Sequence, residues 1–117
     1  MSFRLPRTPL FTLVTSIGLL ASNAVLAHYP YCQCHVDGQE IVCLGGFSDG
    51  SDAVGVTVDV ISYNEEILVP GQFNNQSTMH FPLQKGEFYV LLDAGPGHTF
   101  EVDWRDIEGL DQAGQTP

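Results

Sequence analysis

Apolar and polar residues alternate with a period of two along most of this chain, in short runs separated by turn residues. In "VTVDVIS", residues 56–62, Val56, Val58 and Val60 share one side, with Thr57 and Asp59 on the other. That is the pattern of a strand with one face buried. Similar runs occur at Tyr29–Val36, "QEIVCLG", "TMHFP" and "HTFEVDW". "EILVPGQF" reads as a short strand whose Pro70 suits an edge or a strand end. "FYVLLDA" is apolar on both sides, as a central strand would be. Residues 46–55, "GFSDGSDAVG", read as a loop, and no long helical periodicity occurs. The pattern predicts an all-β sandwich.

Two hairpins can be placed in register. A three-residue loop at Gly95–Gly97 sets Leu92 against Phe100, Val90 against Val102 and Phe88 against Trp104. Each pair is apolar on one face, and His98 falls on that face at the rim. A two-residue turn at Asp37-Gly38 would set Cys32 against Cys43, with Cys34 one diagonal step away. The same register sets His35 opposite Glu40 on the outer face. His80 points away from Met79 and Phe81, toward solvent.

The first 27 residues do not fit this pattern. Arg4 and Arg7 precede a short apolar run, "TPLFTLVTSIGLLA", and Val25 and Ala27 sit where a signal peptidase requires small residues. The expected organisation is a signal peptide over 1–27, a β-sandwich domain over 28–104 and a mobile tail over 105–117. Cleavage after Ala27 would make His28 the new N-terminus and place the protein in the periplasm or outside the cell. The remaining chain carries Lys85 and Arg105 against all 14 acidic residues, a formal charge of −12. Such a surface repels nucleic acid and anionic membranes and attracts cations. No direct membrane insertion is expected once the signal is removed.

The candidate chemistry lies in cysteines and histidines. In an exported domain, a disulfide Cys32–Cys43 or Cys34–Cys43 would staple the first hairpin. Alternatively, Cys32, Cys34 and Cys43 together could bind a soft metal, Cu(I) or Zn(II). A terminal His28 offers an α-amine and a ring Nδ1 that can chelate one ion. Pro30, lacking an N–H, limits further binding through successive backbone amides. His98 follows Gly-Pro-Gly, which leaves its ring accessible, and would supply a second imidazole, suited to Cu(II) or Ni(II). Asp49 and Asp52 lack the spacing of a helix-loop-helix calcium loop. Ser48, Ser51 and Ser77 have no nucleophile motif around them, and there is no phosphate loop or basic patch. The expectation is therefore a protein without enzymatic activity. A copper oxygenase built on a histidine brace ranks last, since the chain left after cleavage is too small for an extended polysaccharide-binding face.

An ordered set of motifs adds a resemblance. Ala27-His28, Phe47-Ser48-Asp49-Gly50, Val56-Thr57-Val58, Leu68-Val69-Pro70-Gly71 and Asp93-Ala94-Gly95-Pro96-Gly97-His98 together span nearly all of residues 27–103. In this order the chain resembles small periplasmic carboxypeptidase-regulatory-like (prealbumin-like) domains found with nickel and cobalt transporters of the energy-coupling type. The resemblance implies a seven-stranded Ig-like or prealbumin-like sandwich. It also implies a metal-handling accessory role with His28 and His98 as the matching positions; with the donor set, the expectation is a protein that binds nickel, cobalt or copper there and delivers it to membrane transporter subunits. The alternative is a structural or protein-binding sandwich without a metal. The chain departs from the pattern in its three cysteines and at Asn74-Asn75-Gln76, where the family has a glycine turn. The thiols shift the expected ion toward copper or zinc.

Overall fold

In a computed structural model the described residues are 28–110; the expected signal peptide and the last seven residues lie outside them. Seven strands follow in order: β1 (Pro30–Asp37), β2 (Glu40–Phe47), β3 (Thr57–Ser62), β4 (Ile67–Val69), β5 (Thr78–Pro82), β6 (Phe88–Asp93) and β7 (Thr99–Asp103). They form two antiparallel sheets, β1-β2-β5 and β4-β3-β6-β7, in a sandwich-like arrangement. Among the described residues no helix is long and apolar enough to cross a membrane.

The alternation is realised as buried and exposed faces. Cys32 and Cys34 of β1 point inward, while Tyr31, Gln33 and His35 are exposed. Val58 and Val60 of β3, Met79 and Phe81 of β5, and Phe88, Val90 and Leu92 of β6 fill the space between the sheets. Phe81 and Phe88, one from each sheet, meet edge to face with centroids 6.4 Å apart. As its two-sided apolar pattern implies, β6 is central, flanked by β3 and β7. β4 ends just before Pro70 and lies at a sheet edge, where the missing N–H breaks no ladder.

The second hairpin has the expected register: Leu92 faces Phe100 and Val90 faces Val102. The ladder stops at Asp103, before Trp104 can pair with Phe88, because the chain turns into a 3-10 helix over Trp104–Asp106. The first hairpin is shifted by two residues from expectation. Its turn is Gly38-Gln39, with Asp37 paired to Glu40, so Cys34 faces Cys43 and Cys32 faces Gly45. Gly38 has φ of 65° and Gln39 has no positive φ. Glycine thus takes the first central position of a II′-type turn instead of the second position of an Asp-Gly turn. Consequently His35 pairs with Val42, and Glu40 instead meets His80, Nδ1 to Oε1, at 3.3 Å on the surface.

The expected tail boundary at residue 105 also shifts. Ile107 and Leu110 are buried in the core. Between them, Val36 N–H donates to Glu108 O at 2.9 Å and Glu108 N–H to Cys34 O at 3.1 Å. The segment after β7 therefore crosses to the open edge of β1 and covers it, one way of protecting an unpaired edge.

Candidate metal centre

His28 and His98 line the same open cleft of about 330 Å³, with Phe47, Asp49, Ser51 and Ala94. Each histidine is carried there by the end of a strand pair. The β1–β2 ladder closes with Pro30 opposite Phe47. Beyond it Tyr29 N–H donates to Ser48 Oγ at 2.9 Å and Ser48 N–H to Tyr29 O at 2.8 Å. His28 thereby lies over the Phe47–Gly50 turn, closed by Gly50 N–H to Phe47 O at 2.9 Å, with Gly50 at φ 91°. His98 returns from the Gly95-Pro96-Gly97 loop, which is held by Ala94 N–H to His98 O and His98 N–H to Gly95 O, at 2.9 and 2.8 Å.

Both rings have their Nδ1 occupied. His28 Nδ1 lies 2.7 Å from Asp49 Oδ2. His98 Nδ1 lies 3.1 Å from the Pro96 carbonyl oxygen. A carboxylate and a carbonyl can only accept, so in the neutral rings the proton sits on Nδ1 and Nε2 keeps its lone pair. An imidazole whose other nitrogen is fixed in this way is the usual form of a metal ligand. Asp49 is itself held, accepting from Ser51 N–H at 3.0 Å and Ser51 Oγ at 2.7 Å. These bonds from Ser51, with the nearby His28, keep its carboxyl below the usual carboxylate range. A chelate through the His28 α-amine and Nδ1 would use the nitrogen that Asp49 engages.

Asp49 was discernible in the sequence only through the correct register. Continuing the Cys34–Cys43 and Pro30–Phe47 pairing by two residues places His28 across from Asp49. A turn drawn at Asp37-Gly38 places it across from Phe47 and hides the carboxylate.

The cysteines are elsewhere, on the inner face of the first hairpin. Cys34 and Cys43 form a disulfide, with Cα atoms 4.0 Å apart, across a narrow antiparallel pair. Cys32 is a buried thiol whose pKa is pushed up by burial to about 12. Among the described residues these three are the only group of three or more His, Cys, Asp or Glu whose ligand atoms all lie within 4.8 Å of one another. His28 and His98 are both exposed where they line their cleft. His35 and His80 are exposed and line neither site.

Comparison of the chain with known protein families, with curated proteins and with solved structures gave no match.

Proposed function

We propose that this chain is an exported transition-metal-binding accessory protein, which holds nickel, cobalt or copper between His28 and His98 and delivers it to a membrane transporter. The reading rests on one observation: two histidines 70 positions apart in the chain line a single cleft. Nε2 of each ring is the ligand atom, Asp49 orients His28, and the Pro96 carbonyl orients His98. Nitrogen donors of this kind suit nickel, cobalt and copper(II). Cleavage after Ala27 would add an α-amine beside the same cleft. The charge of −12 would draw cations toward it, and exposed ligands suit a protein that must also release its ion.

The strand order supports an Ig-like sandwich. With the strands lettered in sequence and the fourth written C′, the sheets are ABE and C′CFG. The prealbumin-like resemblance and the disulfide are compatible with an exported domain.

The test is titration of the untagged protein with Ni(II), Co(II) and Cu(II). His28→Ala and His98→Ala should each lower affinity for the bound ion by at least 10-fold, about 1.4 kcal/mol. Asp49→Asn, which removes only an orienting contact, should cost about 10-fold. A second reading, a protein-binding sandwich without a metal, is favoured by the exposure of Tyr29, Tyr31 and Leu44. Equal affinities in the wild type and both histidine variants would overturn the histidine site and favour that reading instead.

A further inference from the structure

The first hairpin carries a second, separate constellation. Cys32 and Cys34 alternate onto the inner face of β1, and Cys43 faces Cys34 from β2. Cys32 Sγ lies 3.9 Å from Cys34 Sγ, and all three sulfurs lie within 4.8 Å of one another. They also adjoin space. A cavity of about 370 Å³ reaches Cys32 and Cys34 at the seam where β1 meets β7, and Glu101, Asp106 and Glu108 share its lining. The seam therefore offers a cation an acidic approach to sulfur. In the oxidised protein the site is closed, because two of its three sulfurs are bonded to each other.

We propose that the three cysteines form a redox-gated site for one Cu(I) ion, absent while Cys34 and Cys43 are joined and created when a dithiol reductant opens that bond. The exchange balances. The two external thiols become a disulfide, and two electrons and two protons pass to Cys34 and Cys43. Cu(I) then binds sulfur and displaces at least one thiol proton to water. The ion is assigned from the donor set and its surroundings. Three soft sulfurs with no fourth His, Cys, Asp or Glu atom in the group suit Cu(I), whereas structural zinc takes four ligands. Cys32, Cys34 and Cys43 are all buried, so an ion of single charge, needing fewer thiolates to neutralise it, is favoured over a dication.

The experiment compares oxidised protein with protein reduced by dithiothreitol and desalted without oxygen, each titrated against Cu(I) buffered by bicinchoninate. Reduced wild type should withdraw one equivalent and oxidised protein none at this site. Reduced Cys32→Ser should bind at least 10-fold more weakly, and a Cys34→Ser/Cys43→Ser variant should bind as weakly as oxidised protein. The His28→Ala/His98→Ala double variant should keep full Cu(I) binding to the reduced hairpin, so this result stands or falls apart from the histidine cleft. Equal binding by oxidised and reduced protein, or by reduced wild type and Cys32→Ser, would overturn the proposal. So would tighter binding of Zn(II) than of Cu(I), or loss of the near-ultraviolet circular dichroism of Trp104 on reduction alone.

Discussion

Ser77 shows how one residue can hold a loop to a strand against its own backbone preference. It has φ of 58°, in the left-handed region that favours glycine, yet it is a buried serine. The turn before it is built by Asn74, whose Oδ1 accepts from Gln76 N–H, Thr78 N–H and Thr78 Oγ1. An asparagine side chain thus supplies the acceptors at a turn that has no glycine, as Asx-turns do. Ser77 Oγ then accepts from Ala53 N–H at 2.9 Å, and Ser77 O accepts from Gly45 N–H at 2.9 Å, tying the 46–55 loop to β2. Two substitutions separate these effects. Ser77→Ala keeps the left-handed strain and leaves the Ala53 N–H buried without a partner, a cost of about 1–3 kcal/mol. Ser77→Gly loses the same bond but regains about 1 kcal/mol from the backbone. Urea unfolding should therefore rank wild type above Ser77→Gly, and Ser77→Gly above Ser77→Ala. An equal midpoint for the two variants would mean that the positive φ carries no strain.

At the scale of elements, the end of β7 depends on Asp103. Its carboxylate accepts from the Tyr63 hydroxyl, from Arg105 N–H at 3.0 Å and from Arg105 Nε at 2.7 Å, so it caps the 3-10 helix and links it to the turn after β3. Partial burial acts to raise its pKa, but the bonds from Arg105 and Tyr63 prevail and hold it below the ordinary aspartate value. A carboxylate with a depressed folded-state pKa contributes stability that is present above its unfolded pKa, about 3.9, and is lost as pH falls through the folded value. Asp103→Asn keeps an acceptor for Arg105 N–H but loses the ionic contact to Arg105 Nε; it should cost about 0.5 kcal/mol at pH 7, the scale of a partly exposed ion pair, and that difference should shrink toward zero in acid. Unfolding of both proteins at pH 7 and pH 3 checks the sign; a gap that widens in acid would contradict it. Elements of this kind were unevenly legible in the sequence. The β6–β7 register could be read because all the candidate pairs put apolar residues on one face, and a slip would expose them. The β1–β2 register could not: both Cys32 and Cys34 point inward, so a shift of two residues leaves the inside-outside pattern unchanged. Only the turn decided it, and Asp37-Gly38-Gln39 allows glycine at either central position. The position of Asp49 across from His28 was lost with that choice.

At the scale of the whole molecule, the sandwich is closed by residues that resemble a tail. "DIEGLDQAGQTP" contains few apolar residues in no strand-like alternation, so periodicity gives no reason to expect it to pack. Its two large aliphatic side chains are nevertheless spent on the core: Ile107 is 4 % exposed and Leu110 is 1 % exposed. They arrive there because Glu108 pairs with the edge of β1, joining the last strand of one sheet to the first strand of the other. That single bridge also brings Asp106 and Glu108 to the cavity beside Cys32 and Cys34. A domain of this size has little surplus burial, since small chains bury a smaller share of their surface. Net stability of about 5–15 kcal/mol is typical, so one core leucine is a large part of it. Leu110→Ala should cost about 2–5 kcal/mol, the range for a fully buried leucine whose cavity does not collapse. Leu44, 47 % exposed on the outer face of β2, provides the contrast. Leu44→Ala should stay within about 0.5 kcal/mol of wild type. Thermal unfolding of the two variants decides whether the segment after β7 is structural. If Leu110→Ala melts with the wild type while its Ile107–Leu110 amides exchange freely, the bridge to β1 does not hold the sandwich closed. If it unfolds well below Leu44→Ala, the chain end is part of the core and of the wall around the sulfur cluster.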